Sequence, residues 1–215
     1  ADAMTFRKLR GTQGRMSAKT ASSSKSIRER KLAERQRKQT IERLAWGAIG
    51  TVILAVMAYI GWSVFGPKPG QSVPLQARTH IQLGDPHEPY NSDPPTSGPH
   101  AAPVQADFYN EAPADENLVH NLEHGYVIIW YNCASLDEAG CQSLKSQIQD
   151  AMDGTKPVSF ASTTKKLIAV SRPGMDALLA LTSWGRVLKL DTFDKLVITE
   201  FIDKLRNQAP EPNVP

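Results

Sequence analysis

The feature that most constrains this chain is an uninterrupted apolar stretch near its N-terminus. Residues 45–65 read AWGAIGTVILAVMAYIGWSVF and contain no charged side chain. As a helix, this stretch spans about 31 Å, the thickness of a hydrocarbon core. Trp46, Tyr59 and Trp62 lie near its ends, where aromatic rings prefer the headgroup level. The sequence predicts one transmembrane helix over residues 44–66 and excludes a polytopic protein, because no other stretch is long enough to span.

Charge is divided unequally on the two sides of this stretch. Residues 1–43 hold 13 basic and 4 acidic side chains, and residues 68–215 hold 12 basic and 18 acidic ones. The positive-inside rule predicts a cytoplasmic N-terminus and a periplasmic or extracellular C-terminal part. The following FGPKPGQS offers no small-residue cleavage site. We therefore expect an uncleaved anchor in the cell (inner) membrane.

The basic tail, residues 1–43, has two interpretations. It could bind nucleic acid, or it could lie on anionic lipid at about 1 kcal/mol per Lys or Arg near the surface. No nucleic-acid-binding fold accompanies the charge, so we expect the lipid bilayer as partner and no nucleic acid. Residues 27–43 are good helix formers and can continue the membrane helix inward.

Prolines cluster in residues 67–115, in GPKPG, GDPHEPY and DPPTSGPH. This density is too high for a helix or a central strand. Because aromatic residues and three histidines share the segment, we expect a short stalk near residues 66–78 and then a long ordered loop on the domain. Such a loop either only packs there or contacts a ligand directly.

Residues 116–215 alternate between helical and strand patterns. The first predicted elements are a helix over 116–124 and a strand over 126–131. A second helix starts at the capping pattern of Ser135 to Glu138 and ends near Met152. A strand over 166–170, one or two strands over 178–190 and a last helix capped by Asp191 or Thr192 follow. This order predicts an α+β fold, a small exported domain with a mixed β-sheet and two or three helices.

Cys133 and Cys141 are the only cysteines. One follows a predicted strand and the other lies in the next helix, so an oxidising compartment favours a disulfide between them. The bridge would stabilise the fold by about 2–3 kcal/mol in the loop-entropy model. A redox-active pair or thiolate metal ligands are the alternatives, but the spacing matches neither the two-residue redox motif nor common zinc knuckles.

The five histidines lie between residues 80 and 124. His120 and His124 are four residues apart, so they share one face of a helix, and Glu123 is beside them. His100 ends a turn-rich loop that can fold over this helix. Imidazoles with a carboxylate suit zinc or copper. The sequence predicts a metal site of His100, His120, Glu123 and His124, with a purely hydrogen-bonded histidine cluster as the alternative.

The string from His120 to His124 also matches the inverted zinc-protease motif, in which Glu123 would be the general base. Glu200, on a later helix, would complete the metal site. The five-residue pattern arises easily by chance, and Gly125 and a strand follow at once. We therefore favour a protein that is not an enzyme.

Three blocks, YNSDPPTSGPH (residues 90–100), LVHNLEHG (118–125) and TSWGR (182–186), resemble the signature of an uncharacterised bacterial family. Its members are exported domains of unknown function behind one membrane helix, and the resemblance covers roughly residues 79–210. Ser183 departs from an expected alanine-like residue. The resemblance implies that the loop histidine and the two helix histidines belong to one motif set. Its further motif residues here are Pro94, Pro95, Thr96, Ser97, Gly98, Trp184, Gly185 and Arg186.

Together, these observations favour a non-catalytic, single-pass membrane protein whose exported domain binds a metal or a partner. An alternative is an accessory or assembly subunit of a larger, energy-transducing membrane complex, because Gly47, Gly50 and Gly61 permit close helix contact with other membrane protein subunits. A zinc metallohydrolase is the least favoured hypothesis.

Overall fold

The computed structural model describes the backbone of residues 6–160 and 162–214, and the side chains of residues 28–62, 66–160 and 162–214. The chain divides into two compact units, Ala1–Gly66 and Pro67–Pro215.

The first unit is one helix, α1 (Phe6–Phe65). Its part Arg28–Trp62 is long and apolar enough to cross a membrane by length and composition. The large apolar side chains there are exposed within the unit, Leu54 and Trp62 among them. The predicted N-terminal apolar helix is confirmed, and the helix also runs through the basic residues 27–43.

The second unit is built around one mixed six-stranded sheet. Its elements are β1 (Gln71–Ser72), β2 (Phe108–Tyr109), α2 (Asp115–Glu123), β3 (Val127–Tyr131), α3 (Glu138–Gly154), β4 (Leu167–Ser171), β5 (Leu179–Ser183), β6 (Arg186–Leu190) and α4 (Lys195–Leu205). The strand order is β1-β6-β5-β3-β4-β2. β4 is parallel to both of its neighbours, β3 and β2, and the other pairs are antiparallel. The α+β prediction is confirmed.

The two faces of the sheet carry separate hydrophobic cores, because successive strand side chains point to opposite faces. On one face, Ile129 of β3 packs with residues of α3 and α4 such as Ile148 and Phe201. On the other face, Trp130 packs with Leu118 of α2. Only α2, among the helices of this unit, lies on that second face.

Two helix starts differ from the predicted ones. α3 begins after Asp137, whose side chain accepts a hydrogen bond from a backbone N–H of the first turn, and not at Ser135. α4 begins after Asp194, whose side chain accepts from two such N–H groups, and not at Asp191 or Thr192. Each segment contains several residues that can cap the helix N-terminus. In both cases the cap is the aspartate whose carboxylate reaches the backbone N–H groups of the first turn.

The proline-rich segment is ordered and covers the α2 face. Its residues 94–98 are buried. Arg172, at the end of β4, ties it down: the guanidinium lies 2.7 Å from an Asp93 carboxylate oxygen and pairs with both oxygens of Asp115. These contacts place the loop histidines above α2.

Candidate metal centre

The end of α2 presents two of the candidate side chains together. His120 and Glu123 lie in its last turn and are buried. The helix stops because Gly125 adopts a φ of +86°, and its N–H donates to the carbonyl of Leu122. A Cβ at Gly125 would lie 2.8 Å from the Cα of Asn207, so this stop also needs the small residue.

The loop contributes two more imidazoles through a short parallel bridge. The N–H of Ile81 donates to the carbonyl of His100, and the N–H of His100 donates to the carbonyl of Thr79. The bridge sets the rings of His80 and His100 with their centroids 4.5 Å apart. Both rings also pack edge-on near His120, at 5.1 and 4.8 Å.

Backbone carbonyls determine which ring nitrogen carries the proton in two of these histidines. His100 Nδ1 lies 2.8 Å from the carbonyl oxygen of Gly98, and His120 Nδ1 lies 2.6 Å from that of Ala101. A carbonyl oxygen only accepts, so each Nδ1 donates and each Nε2 keeps its lone pair in the neutral ring. This tautomer is the one that metal-ligating histidines usually adopt.

Glu123 occupies the centre of the group and is 1% exposed. Its Oε1 accepts a hydrogen bond from Arg78 at 3.1 Å. Its Oε2 lies 2.9 Å from His100 Nε2 and 3.9 Å from His80 Nε2. Apart from this mutual contact, neither Oε2 nor His100 Nε2 has a hydrogen-bond partner among the described residues. At 2.9 Å the two atoms form an ion pair if His100 carries a second proton on Nε2; in the neutral ring they are two buried acceptors, which a bound cation would satisfy.

The four side chains are spaced for a single ion. One ligand atom from each of His80, His100, His120 and Glu123 lies within 4.8 Å of the other three. Zinc forms bonds of roughly 2.0–2.2 Å, so the ligand atoms of a tetrahedral zinc site lie roughly 3.4 Å from one another. The four side chains here would therefore move by about an ångström to bind one zinc ion.

The electrostatics at His120 favour a neutral ring. Burial lowers the pKa of His120, and the hydrogen bond to the Ala101 carbonyl opposes this. The neighbouring His124, His100 and His80 act in the same direction as burial. The neutral imidazole is the form that binds a metal.

The structure thus brings together His100, His120 and Glu123, which the sequence predicted, and adds His80. His124 lies beside this group, with its Nε2 3.0 Å from His120 Nε2 and 3.8 Å from a carboxylate oxygen of Glu211. Because His120 Nδ1 donates to the Ala101 carbonyl, His120 Nε2 accepts in the contact with His124, and a metal at His120 Nε2 would displace this hydrogen bond. A ligand role for His124 stays a prediction, and a variant below tests it.

The fifth histidine, His87, lies outside the group. Its ring contacts the Glu88 carbonyl and the Glu116 carboxylate, and these two contacts raise the pKa of His87. His87 is therefore a suitable control for experiments on the other histidines.

The motif residues of the loop and of the β5–β6 turn support the site from outside. Gly98 supplies the carbonyl that orients His100. The Thr96 carbonyl accepts from the N–H of Gly185, and Ser97 Oγ accepts from a backbone N–H at Gln76. Pro94 and Pro95 are buried beside them. This network fixes the loop against the sheet.

The Trp184 to Arg186 turn acts in the same way. The Trp184 ring lies edge-on to His100, with centroids 6.5 Å apart. Arg186 donates to the carbonyl oxygens of Lys68, Pro69 and Gly70, so it holds the start of the folded unit against β6. These contacts stabilise the fold around the site.

The predicted disulfide is confirmed. Cys133 follows β3, Cys141 lies in the first turn of α3, and their sulfurs are bonded. The bond lies with the α3 side of the sheet, whereas the histidine group lies with α2. The two sulfurs are therefore no part of the metal centre.

The geometry does not support the protease motif. Glu200 is on α4, on the opposite face of the sheet from α2, and pairs with Lys204 at 3.0 Å. Glu123, the required base, is instead part of the ligand group and bound by Arg78.

Comparison with known families places the chain in one family. The model of a family described as "Protein of unknown function (DUF3105)" matches residues 84–215. The chain belongs to the DUF3105 family. The predicted membership of an uncharacterised family of unknown function is thereby confirmed. His100, His120 and Glu123 lie within the part matched to DUF3105, and Arg78 and His80 lie shortly before it. No curated protein and no solved structure matches the chain.

Proposed function

We propose that this DUF3105 protein is a non-catalytic, membrane-anchored metal-binding protein. Its extracytoplasmic unit holds zinc or copper through Nε2 of His80, His100 and His120 and Oε2 of Glu123. The observation that carries the proposal is the convergence of four potential ligand atoms within 4.8 Å of one another, three of them on buried residues.

A second proton on His100 is the alternative to a metal, since it would convert the contact into an ion pair. An ion pair needs only one imidazole, however, whereas three converge here within 4.8 Å of the carboxylate. Three neutral nitrogens and one carboxylate oxygen form a donor set that suits zinc or copper better than calcium or magnesium.

A binding role, and not hydrolysis, follows from the ligand count. Four protein ligands complete a tetrahedral zinc site, whereas catalytic zinc keeps a position for water. The Glu123 carboxylate, which the protease hypothesis needs as a base, is engaged at both oxygens. The group is therefore arranged to hold a metal.

Elemental analysis of the full-length protein, purified in mild detergent and dialysed against zinc or copper, tests the proposal. We expect one metal per chain in the native protein and in His87→Ala, because His87 lies outside the group. His100→Ala and His120→Ala should lose the metal while circular dichroism shows a folded domain. A folded native protein without stoichiometric metal would contradict the proposal.

The same measurement assigns His124. We expect His124→Ala to retain one metal per chain, because the four-residue ligand group does not include His124. Loss of the metal in His124→Ala, together with retention in His80→Ala, would replace His80 by His124 in the ligand set.

A further inference from the structure

We propose that the position of His80 is an exchange position, where an external imidazole enters the metal's coordination shell. The donor would be a histidine side chain of a partner protein that delivers or receives the metal. This inference rests on the proposed function and makes the centre a transfer site rather than a permanent structural one.

Exposure separates His80 from the other ligands. Its side chain is 61% exposed, whereas those of His100 and Glu123 are 0% and 1% exposed. His120 is also buried. Three ligands thus form an enclosed base, and the fourth stands at the solvent boundary.

The backbone on both sides of His80 is held by contacts that do not involve its ring. The residues on either side, Thr79 and Ile81, are both hydrogen-bonded to the backbone of His100. The ring itself lies farther from the shared carboxylate oxygen than the His100 ring does, at 3.9 Å against 2.9 Å. Rotation of the exposed ring therefore opens the position without disturbing the loop.

The exchange step balances without any further reactant. An incoming neutral imidazole nitrogen forms one bond to the metal as the bond from His80 Nε2 breaks, so charge, donor set and coordination number are unchanged. The half-exposed Arg78 beside this face disfavours a cationic partner side chain. A neutral histidine therefore suits the face better than lysine or arginine.

Chemical rescue with free imidazole tests the inference on the full-length protein in detergent. The matched variants are His80→Ala, which empties the exposed position, and His100→Ala, which empties a buried one. Metal affinity is measured by competition with a chromophoric chelator, with and without imidazole, and compared with native protein at the same imidazole concentration. We expect His80→Ala to bind about tenfold or more weakly than native protein, by analogy with other lost metal-site contacts.

Added imidazole should restore the affinity of His80→Ala and leave that of His100→Ala unchanged. Native affinity in His80→Ala would overturn the inference and remove His80 from the proposed ligand set. No rescue of weakened binding in His80→Ala would overturn the inference alone. In both cases, metal binding by the native protein would still support a metal-binding function. Equal rescue of both variants would also overturn the inference, because the exchange position would then not be specific to His80. A native protein that binds no metal would instead reject the proposed function.

Discussion

At the residue scale, Gly98 joins the loop to the metal centre. It has a φ of +134°, and an added Cβ would lie 2.9 Å from the Tyr90 ring. That ring cannot easily give way, because the Tyr90 hydroxyl donates to the Pro99 carbonyl at 2.7 Å. Gly98 is also the residue whose carbonyl orients His100. Conformation and space therefore both require glycine at a position whose backbone carbonyl orients His100.

We expect Gly98→Ala to lower the free energy of unfolding by about 1–3 kcal/mol, the usual cost of a strained backbone residue. It should also weaken metal binding, since the His100 ring loses its fixed orientation. Gly84→Ala is the control for backbone strain alone: Gly84 has a φ of +89°, so the stability of this variant should also fall, but nothing lies within 4 Å of its added Cβ and its metal affinity should stay native. Chemical denaturation and metal competition measure both effects. Unchanged metal affinity in a destabilised Gly98→Ala would contradict the orienting role.

The ligand residues differ in how far the sequence could predict them. His120 and Glu123 follow from helix periodicity, and His100 follows from its position in a motif block. His80 does not, because it joins the group through a two-residue backbone bridge to His100 between segments without regular periodicity. The only sequence signal for it was the concentration of histidines in residues 80–124.

At the element scale, the disulfide staples the end of β3 to the first turn of α3. This is the start of the connection between two adjacent parallel strands of the sheet. The bond is on the opposite side of the sheet from the histidine group, so its effect on stability is separable from metal binding.

We expect Cys133→Ser with Cys141→Ser to destabilise the unit by about 2–3 kcal/mol, because the unfolded chain gains conformational entropy when the loop opens. Metal stoichiometry should stay at one per chain. Urea titration with and without reductant measures the first effect, and reductant should no longer change the stability of the double variant. A loss of metal in the folded double variant would show that the two sites are coupled.

Strong periodicity made the central elements predictable, and competition between neighbouring residues made their ends uncertain. The strand predicted over 126–131 and the helix predicted to end near Met152 correspond to β3 and α3. The order of the strands in the sheet does not follow from the sequence pattern, because the pairing of β2 with β4 depends on loop packing over a long sequence separation. The predicted helix caps were wrong since several nearby residues can form the same hydrogen bond.

At the scale of the whole molecule, the chain carries an apolar helix long enough to cross a membrane and a folded unit with a candidate metal centre. The unequal charge of the flanks predicts the orientation, with the basic residues 1–43 in the cytoplasm. The disulfide agrees with an oxidising compartment for residues 67–215.

Cysteine labelling with a membrane-impermeant maleimide in intact cells measures this orientation. Thr40→Cys and Ser159→Cys introduce one exposed thiol before and one after the apolar stretch. The native cysteines, being bonded, do not react. We expect labelling at position 159 in intact cells and at position 40 only after permeabilisation. The reverse pattern would refute the proposed orientation.

The measurement that tests the central claim most directly is anomalous X-ray diffraction from crystals of the full-length protein grown with zinc. The account predicts one anomalous peak roughly 2.0–2.2 Å from Nε2 of His80, His100 and His120 and from Oε2 of Glu123. Crystals that contain zinc but show no peak among these four atoms would contradict it.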